Sequence, residues 1–167
     1  MILQDIAKII QDYMQLPDGV VWIKGQKVQK PTNSTFTIVV GFLNLKSYGS
    51  SCRSVFNDKT QKMEEIIGTN MAGQIVIDIS GRGSLVLDRK EEIIQAMSCS
   101  NCREDQIKKA YLIGKHPTSF NDISGLDGTA IPYRFNITFQ VQYLKVKTQT
   151  DKEYYDNFET EEIYVST

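Results

Sequence analysis

The spacing of apolar residues predicts how the chain begins. They recur at intervals of three and four residues, at Ile2, Ile6, Ile9, Ile10 and Tyr13, with Leu3 and Met14 on the flanks. This period predicts an amphipathic helix over residues 2–15. Pro17-Asp18-Gly19 follows as a turn signal, so the helix is expected to end before it.

Strands are predicted where β-branched and aromatic residues cluster or alternate with polar ones. Short strands are expected at 20–25 and 110–114, and longer ones at 35–48 and 73–80. The polar stretches 49–57 and 117–130 are expected to form loops. "SGRGS" at 80–84 is expected to be a strand-to-helix turn.

The longest alternation in the chain covers residues 131–147. One side of it would carry Tyr133, Phe135, Ile137, Phe139, Val141, Tyr143 and Lys145, and the other Arg134, Asn136, Thr138, Gln140, Gln142 and Leu144. At ~3.3 Å per residue this strand would extend ~45 Å or more. It must therefore curl strongly or project from the body, and a projecting strand offers unpaired edges to a partner.

Helix signals return in the middle of the chain. Asp88 with Glu91 resembles a capping box and predicts a helix over residues 89–98. Residues 104–109 favour one further helical turn. Asp58 with Gln61 also resembles a capping box. That segment, 58–67, runs directly into a strand, so both helical and extended conformations stay open on local grounds.

Length and composition are those of one soluble globular domain. The chain has 167 residues, of which 41% are hydrophobic and 23% charged. We expect an α+β fold, mostly antiparallel sheet with one long strand, flanked by an N-terminal and a mid-chain helix. No apolar run approaches the ~20 residues of a membrane span, so no membrane association is expected. Asp5 and Asp12 within the first apolar pattern argue against a secretory signal, which favours the cytoplasm and reduced thiols.

Charge divides the chain into residues 1–150, the domain proper, and residues 151–167, an acidic and aromatic C-terminal arm or edge strand of the same domain. Residues 151–162 hold six acidic side chains against Lys152, whereas residues 1–150 carry 18 basic and 14 acidic groups. The aromatic residues of the arm make it unlike a purely solvated acidic tail. It is expected either to dock on a partner or to pack as an edge strand.

The pair Cys99 and Cys102, in a C-x-x-C spacing, is the pattern that most resembles a chemical site. With Cys52 and His116 it would offer four candidate zinc ligands, or alternatively a redox pair. Structural zinc sites usually bring two tight ligand pairs, and only one is present. The pair is expected to close the 89–98 helix, where the dipole has the wrong sign for a thiolate. The favoured interpretation is two partly buried thiols, with no metal and no cofactor.

The sequence lacks the motifs of the common enzyme classes and the basic clusters typical of nucleic-acid binding. The sequence contains no phosphate-binding loop, no dinucleotide fingerprint and no nucleophile elbow, so an enzyme is not expected. The basic excess of residues 1–150 includes a modest cluster at Lys24, Lys27 and Lys30, without an arginine-rich run. Sequence-specific nucleic-acid binding is therefore not expected, and only passive contact with DNA stays open.

The order of these elements resembles the bacteriophage neck, or tail-terminator, proteins. The resemblance is carried by the opening helix, the "GQKVQKP" loop before a strand, the "GQIVIDISGRG" run, the mid-chain helix and the long strand "RFNITFQVQYLKV". It covers nearly the whole chain. It also implies that residues 60–68 are extended and that 66–73 form a bulge or bend.

The resemblance implies a structural virion protein of the neck, assembled in the host cytoplasm. It implies a ring, typically of six subunits, that terminates the tail and joins it to the head connector. The implied partners are other copies of the chain, connector or stopper proteins, and tail tube or sheath proteins. The hypothetical subunit interface comprises Tyr133, Phe135, Gln140, Gln142, Lys145, Tyr154, Tyr155, Phe158, Glu159, Glu161 and Glu162. The alternative is a metal- or thiol-dependent domain built on Cys52, Cys99, Cys102 and His116.

Overall fold

A computed structural model of the chain describes residues 2–26, 36–114, 120–124 and 133–150. Its elements, in chain order, are α1 (Ile2–Tyr13), β1 (Val21–Ile23), β2 (Phe36–Asn57), β3 (Lys62–Gly81), α2 (Leu85–Arg89), α3 (Glu92–Ser98), α4 (Ser100–Lys108), β4 (Tyr111–Ile113), β5 (Asn121–Asp122) and β6 (Tyr133–Thr150). The arm, His116, Lys27 and Lys30 lie outside the described residues.

The strands form a single mixed sheet. Its order is β1-β2-β3-β6-β4, with β5 also paired to β6. The β1–β2 pair is parallel, and the other pairs are antiparallel. Three strands are long, with 22 residues in β2, 20 in β3 and 18 in β6. The predicted α+β fold, mostly antiparallel and with flanking helices, is confirmed.

The core lies between one face of the sheet and the helices. Ile75, Ile77 and Ile79 of β3 are buried, as the alternation predicted, beside Ile137 and Phe139 of β6. Antiparallel pairing places these side chains on the same face. The helices, together with Met14 directly after α1, complete the core; the helical residues are Leu3, Ile6, Ala7, Ile10, Val86, Ile93, Ala96, Met97 and Cys102.

The apolar stripe of α1 is rotated slightly from the prediction. Leu3 and Met14, expected at its margins, are buried, whereas Tyr13, expected on the stripe, is 43% exposed. The hydroxyl of Tyr13 instead lies 3.4 Å from Oε1 of Gln95 in α3. The stripe therefore centres on Ile6 and Ile10, both almost fully buried.

Residues 49–57 were predicted to be a loop, and this prediction is wrong. They continue β2 and pair with residues 62–70 of β3. Pairing with β3 provides hydrogen-bond partners for the backbone N–H and C=O groups. A serine-rich strand is tolerated because most of these side chains face solvent. The extended interpretation of 58–67 is confirmed as a hairpin.

Polar side chains of the kind that cap helices stabilise the turn of this hairpin. Oδ1 of Asn57 accepts hydrogen bonds from the backbone N–H of Lys59 at 3.0 Å and of Thr60 at 3.4 Å. Nε2 of Gln61 donates to the carbonyl oxygen of Asp58 at 2.7 Å. Polar side chains of this kind favour turns as well as helix starts, which explains the ambiguous local signal.

The irregularity expected within residues 66–73 lies on the opposite strand. Register shifts occur in β2 between Phe42 and Asn44 and between Ser47 and Gly49. β3 runs without interruption through this region and pairs with β6 in constant register. The two bulges in β2 therefore bend the sheet where it leaves the core.

The single helix predicted over 89–98 is two helices, α2 and α3, separated at Lys90 and Glu91. The capping box is absent: Glu91 is the N-cap residue of α3 and makes no side-chain cap. The backbone N–H of Asp88 donates to the carbonyl oxygen of Ser84, so Asp88 already lies inside α2 and cannot take the non-helical conformation of a cap. The turn at 80–84 is confirmed, with Gly83 at φ +84°.

Two further segments differ from the prediction. The helical turn expected at 104–109 belongs to the longer α4, which begins at Ser100. Within the expected 117–130 loop, Asn121 and Asp122 form β5 against Asn136 and Phe135 of β6. The short strands predicted at 20–25 and 110–114 are confirmed as β1 and β4.

Candidate assembly surface

The outer halves of the long strands form a three-stranded extension without a covering layer. We call residues 43–57, 62–73 and 144–150 the distal ribbon. Every side chain of β2 from position 43 to position 56 is exposed, whereas those from 36 to 41 are almost all buried. At ~3.3 Å per residue the β2 part of the ribbon extends about 50 Å. Of the two outcomes expected for the last strand, strong curling or projection, the structure shows projection, and β2 and β3 project with it.

The distal ribbon exposes apolar side chains on both faces. The strand register places Phe56 on the face that continues the core, and Val55 and Val146 on the opposite face. The large exposed hydrophobic residues of the ribbon are Leu43, Leu45, Tyr48, Val55, Phe56, Leu144 and Val146. Apolar groups clustered on a projecting sheet are typical of a surface that another protein covers.

Both edges of the ribbon are open among the described residues. β1 pairs with β2 only over residues 38–40, and β4 pairs with β6 only over 141–143. Beyond these positions the outer backbone of β2 and of β6 has no described strand beside it. Arg53 on the β2 edge and Lys147 on the β6 edge carry charges of the kind that oppose edge-to-edge aggregation.

A groove lies where the ribbon leaves the body, and we call it the root groove. Its volume is about 590 Å³, and its lining is Ile2, Asp5, Phe42, Leu45, Lys109, Tyr143, Leu144 and Lys145. The walls are mainly apolar, and the charged groups are two lysines and one aspartate. It combines an apolar floor with the exposed ammonium of Lys145 at its rim, an arrangement that suits a ligand carrying both apolar and acidic groups.

The rim lysine Lys109 is held in place by ion pairs. Its Nζ lies 2.5 Å from Oδ1 of Asp5 in α1 and 2.7 Å from Oδ1 of Asp105 in α4. These hydrogen bonds raise the pKa of Lys109. Burial raises the pKa of Asp105, but hydrogen bonds from Lys109 and Tyr111 outweigh it, and the net pKa is lowered. The Lys109 ammonium at the end of α4 thus forms an ion pair with α1 beside the groove.

A polar groove of about 540 Å³ lies over the bend, on the side opposite the helices. It includes Gln140 and Gln142, which were predicted as interface residues, together with Asn44 and Gln74. Nδ2 of Asn44 donates to Oε1 of Gln74 at 3.0 Å, and Oδ1 of Asn44 accepts from the backbone N–H of Gln74 at 3.1 Å. These contacts fix the side chains next to the first bulge.

The other predicted interface residues are placed differently. Lys145 is exposed on the ribbon and lines the root groove. Tyr133 packs against the core, and Phe135 is only 5% exposed within it, so Phe135 offers no surface to a neighbour. Tyr154, Tyr155, Phe158, Glu159, Glu161 and Glu162 lie outside the described residues. Sequence reasoning missed Phe42 and Leu45, which line the root groove together with Tyr143 although β3 lies between their strands.

The cysteine pair opens a helix, contrary to the prediction that it closes one. Cys99 has extended backbone (φ −70°, ψ 162°) and is the N-cap of α4; its Sγ accepts a hydrogen bond from the backbone N–H of Cys102 at 3.4 Å. Cys102 is fully buried in the core, and this burial raises the pKa of its thiol. The pair therefore does not lie at the negative end of a helix dipole as predicted, but the buried Cys102 thiol with its raised pKa is still a poor nucleophile.

Among the described members of the candidate ligand set, Cys52 lies apart from Cys99 and Cys102. Cys52 is exposed on the distal ribbon, where its thiol donates a 2.8 Å hydrogen bond to Oε1 of Glu65, which raises the pKa of Cys52. Cys102 lies in the core. Over residues 2–26, 36–114, 120–124 and 133–150, no three His, Cys, Asp or Glu side chains cluster as metal ligands. No helix in this described part of the chain is long and apolar enough to cross a membrane.

The architecture is thus an α+β domain whose sheet extends beyond its core as a ribbon. Among solved structures, this fold is similar to the PVC sheath/tube terminator of an extracellular contractile injection system, determined by cryo-EM in the extended state. The TM-score is 0.50 and the sequence identity 8%; the match covers 99% of this chain and 64% of the terminator chain. No protein-family model matches the chain. No curated protein matches it in sequence.

Proposed function

We propose that the chain is a structural subunit that terminates the tail of a phage or a phage-like contractile particle. Its role is mechanical: copies associate at the end of the tail, and no catalysis is assigned to them. The fold supports this proposal because it resembles that of a sheath/tube terminator over nearly the full length of the chain. The alternative metal- or thiol-dependent function has no cluster of ligands to support it among the described residues.

The distal ribbon is the observation that carries the proposal. A three-stranded sheet exposed on both faces, with apolar groups such as Tyr48 and Phe56 in solvent, gains stability when another surface covers it. A ring of identical subunits supplies such a surface through heterologous contacts, in which each copy presents two different patches. The ribbon is one patch, and the body of the next copy is the other.

The proposed ring has six subunits and lies in the neck, between the tail and the head connector. The neighbours proposed for it are tail tube or sheath proteins on one side and connector or stopper proteins on the other. DNA would pass through the lumen with only passive contact. Assembly in the host cytoplasm would precede incorporation into the virion. Gln140, Gln142 and Lys145 are the described residues proposed to face a neighbouring copy.

Electron microscopy of the purified chain mixed with tail tube and sheath proteins of the same particle tests the proposal. We expect closed rings of six copies at one end of each tail. Native mass spectrometry of the mixture would give the number of copies. A chain that never associates with tails, although the tails accept other completion proteins, would contradict the proposed function. A monomer in the absence of tails would not, because terminators can assemble on the tail itself.

A further inference from the structure

The root groove has walls and a rim of different chemistry. Phe42, Leu45 and Tyr143 provide apolar surface, and the exposed Lys145 places positive charge beside it. Phe42 and Tyr143 are partly buried against the core, so the floor belongs to the rigid body. Lys109 at the same rim is already ion-paired with Asp5 and Asp105, so its charge is compensated within the body. A matching ligand carries aromatic side chains next to carboxylates.

The chain contains one segment with this composition, and it follows the ribbon directly. Residues 151–167 hold six acidic side chains together with Tyr154, Tyr155, Phe158, Ile163 and Tyr164. Aromatic groups can fill the apolar groove while an adjacent carboxylate pairs with Lys145.

The point of departure of this segment favours a second copy over its own groove. β6 ends at Thr150, which pairs with Glu64 close to the hairpin turn. That point is seven residues beyond Tyr143, or about 23 Å along a strand that runs away from the groove. The 17 following residues reach about 56 Å when extended, so the segment can span to a neighbour without reversing.

We infer that the root groove of each copy binds the acidic-aromatic segment 151–167 of the adjacent copy. This inference rests on the proposed ring of identical subunits. It identifies the root groove as part of one of the two surfaces through which neighbouring copies would contact each other. Each subunit then gives its C-terminal segment to one neighbour and receives that of the other, which is the head-to-tail contact that closes a ring.

Disulfide trapping in the full-length chain tests this inference. In a Cys52→Ser background, which removes the exposed thiol, Leu45→Cys is combined in turn with Tyr154→Cys, Phe158→Cys and Ile163→Cys. Mild oxidation of the purified protein and of tail-bound protein is followed by non-reducing electrophoresis. At least one combination should give a ladder of covalent multimers, about tenfold above each single-cysteine variant.

The matched control moves the body cysteine out of the groove. Ile107→Cys on α4, where the side chain is 82% exposed, replaces Leu45→Cys with the same three partners and should give no ladder. Equal ladders from both sets overturn the inference, as does the absence of a ladder in both preparations. A cross-linked monomer of altered mobility also overturns it, because the segment then occupies its own groove.

A charge-reversal test compares the lysine at the groove rim with a lysine farther along the ribbon. Lys145→Glu in the trapping background should lower the ladder yield roughly two- to tenfold, because it repels the acidic segment. Lys147→Glu makes the same change on the same face, two residues beyond the groove, and should leave the yield unchanged. Equal effects would overturn the inference. If rings form on tails but no multimers are trapped, the inference about the root groove fails and the proposed function still stands. If multimers are trapped but never bind tails, the proposed function is contradicted instead.

Discussion

The guanidinium of Arg89 donates a 2.6 Å hydrogen bond to the backbone carbonyl of Met14, 75 residues earlier in the chain. Met14 follows the last turn of α1, where carbonyl groups lack helical partners. The same side chain pairs with Glu92 at 2.7 Å and lies 5.8 Å from the ring centre of Phe36. Arg89 therefore joins α1, α3 and β2 beneath the sheet.

Replacing Arg89 by alanine should lower the free energy of unfolding by about 1–3 kcal/mol, because a charged hydrogen bond and the capping of Met14 are lost together. Urea denaturation at neutral pH measures the effect. Arg53→Ala, on the exposed ribbon, is the matched control and should change stability by less than about 0.5 kcal/mol. Similar losses in the two variants would show that Arg89 does not hold these elements together.

Acid should weaken the contacts that the Asp105 carboxylate makes with Lys109 and Tyr111. The net pKa of Asp105 is lowered in the folded protein, so its stabilisation is present above the ordinary value of 3.8 and is lost as pH falls through the folded value. Asp105→Asn should cost about 1 kcal/mol at neutral pH, and the difference from the parent should shrink on acidification. Urea titrations at a series of pH values measure this.

The control for this pH dependence is Glu104→Gln, which removes the neighbouring carboxylate. Glu104 pairs with Lys108 at 3.2 Å, but both side chains are well exposed, so water screens the pair. Its loss should hardly change stability at any pH in the series. A constant difference between Asp105→Asn and the parent across that series would contradict the proposed role of the Asp105 carboxylate.

Close packing next to the first bulge in β2 depends on Gly73, which pairs with Leu45 just beyond the bulge. A Cβ atom at position 73 would lie 2.7 Å from the carbonyl oxygen of Asn44 and 3.0 Å from Cδ1 of Leu45. Gly73→Ala should therefore cost about 1–3 kcal/mol, since backbone must move. Gly49→Ala is the matched control, because its nearest neighbour would be Nδ2 of Asn70 at an ordinary 3.7 Å. Thermal unfolding compares them, and equal stabilities would refute the close contact at Gly73.

The two cysteines of the C-x-x-C pair should respond differently to serine. Cys99→Ser retains a side chain that can cap α4 and should be neutral or slightly stabilising. Cys102→Ser places a hydroxyl in the core and should cost about 1–3 kcal/mol. Chemical denaturation of the single variants under reducing conditions measures both changes. Equal loss of stability from Cys99→Ser and Cys102→Ser would contradict these separate roles.

Sequence reasoning predicted the parts of the fold in which burial creates a pattern. Ile75, Ile77 and Ile79 alternate because one face of their strand packs on the core, and the same rule identified β6. Residues 49–57 carry no such pattern because most of their side chains are exposed, so their strand conformation depends on pairing with β3. Polar composition alone could not distinguish that strand from a loop.

The root groove and the position of the cysteine pair could not be predicted from the sequence, for two physical reasons. The root groove is lined by both Phe42 and Tyr143, but β3 lies between their strands, so neither strand's own pattern shows that they share a groove. The role of Cys99 depends on the extended backbone of one residue, which divides α3 from α4. A C-x-x-C spacing is the same on either side of such a break, so it could not show which helix end it occupies.

Assembly should depend on the apolar residues of the ribbon and not on exposed apolar residues elsewhere. Tyr48→Ser and Phe56→Ser remove side chains that are 61% and 50% exposed, so the isolated chain should keep its stability within about 0.5 kcal/mol. Aromatic residues dominate protein interfaces, and losing two of them should weaken ring formation at least tenfold. Leu112→Ser and Ile107→Ser, off the ribbon but at least as exposed as Phe56, should leave rings intact. Circular dichroism confirms folding, and electron microscopy with tails scores the rings. Rings that survive the ribbon variants but not the control variants would move the interface from the ribbon to the α4–β4 side of the body.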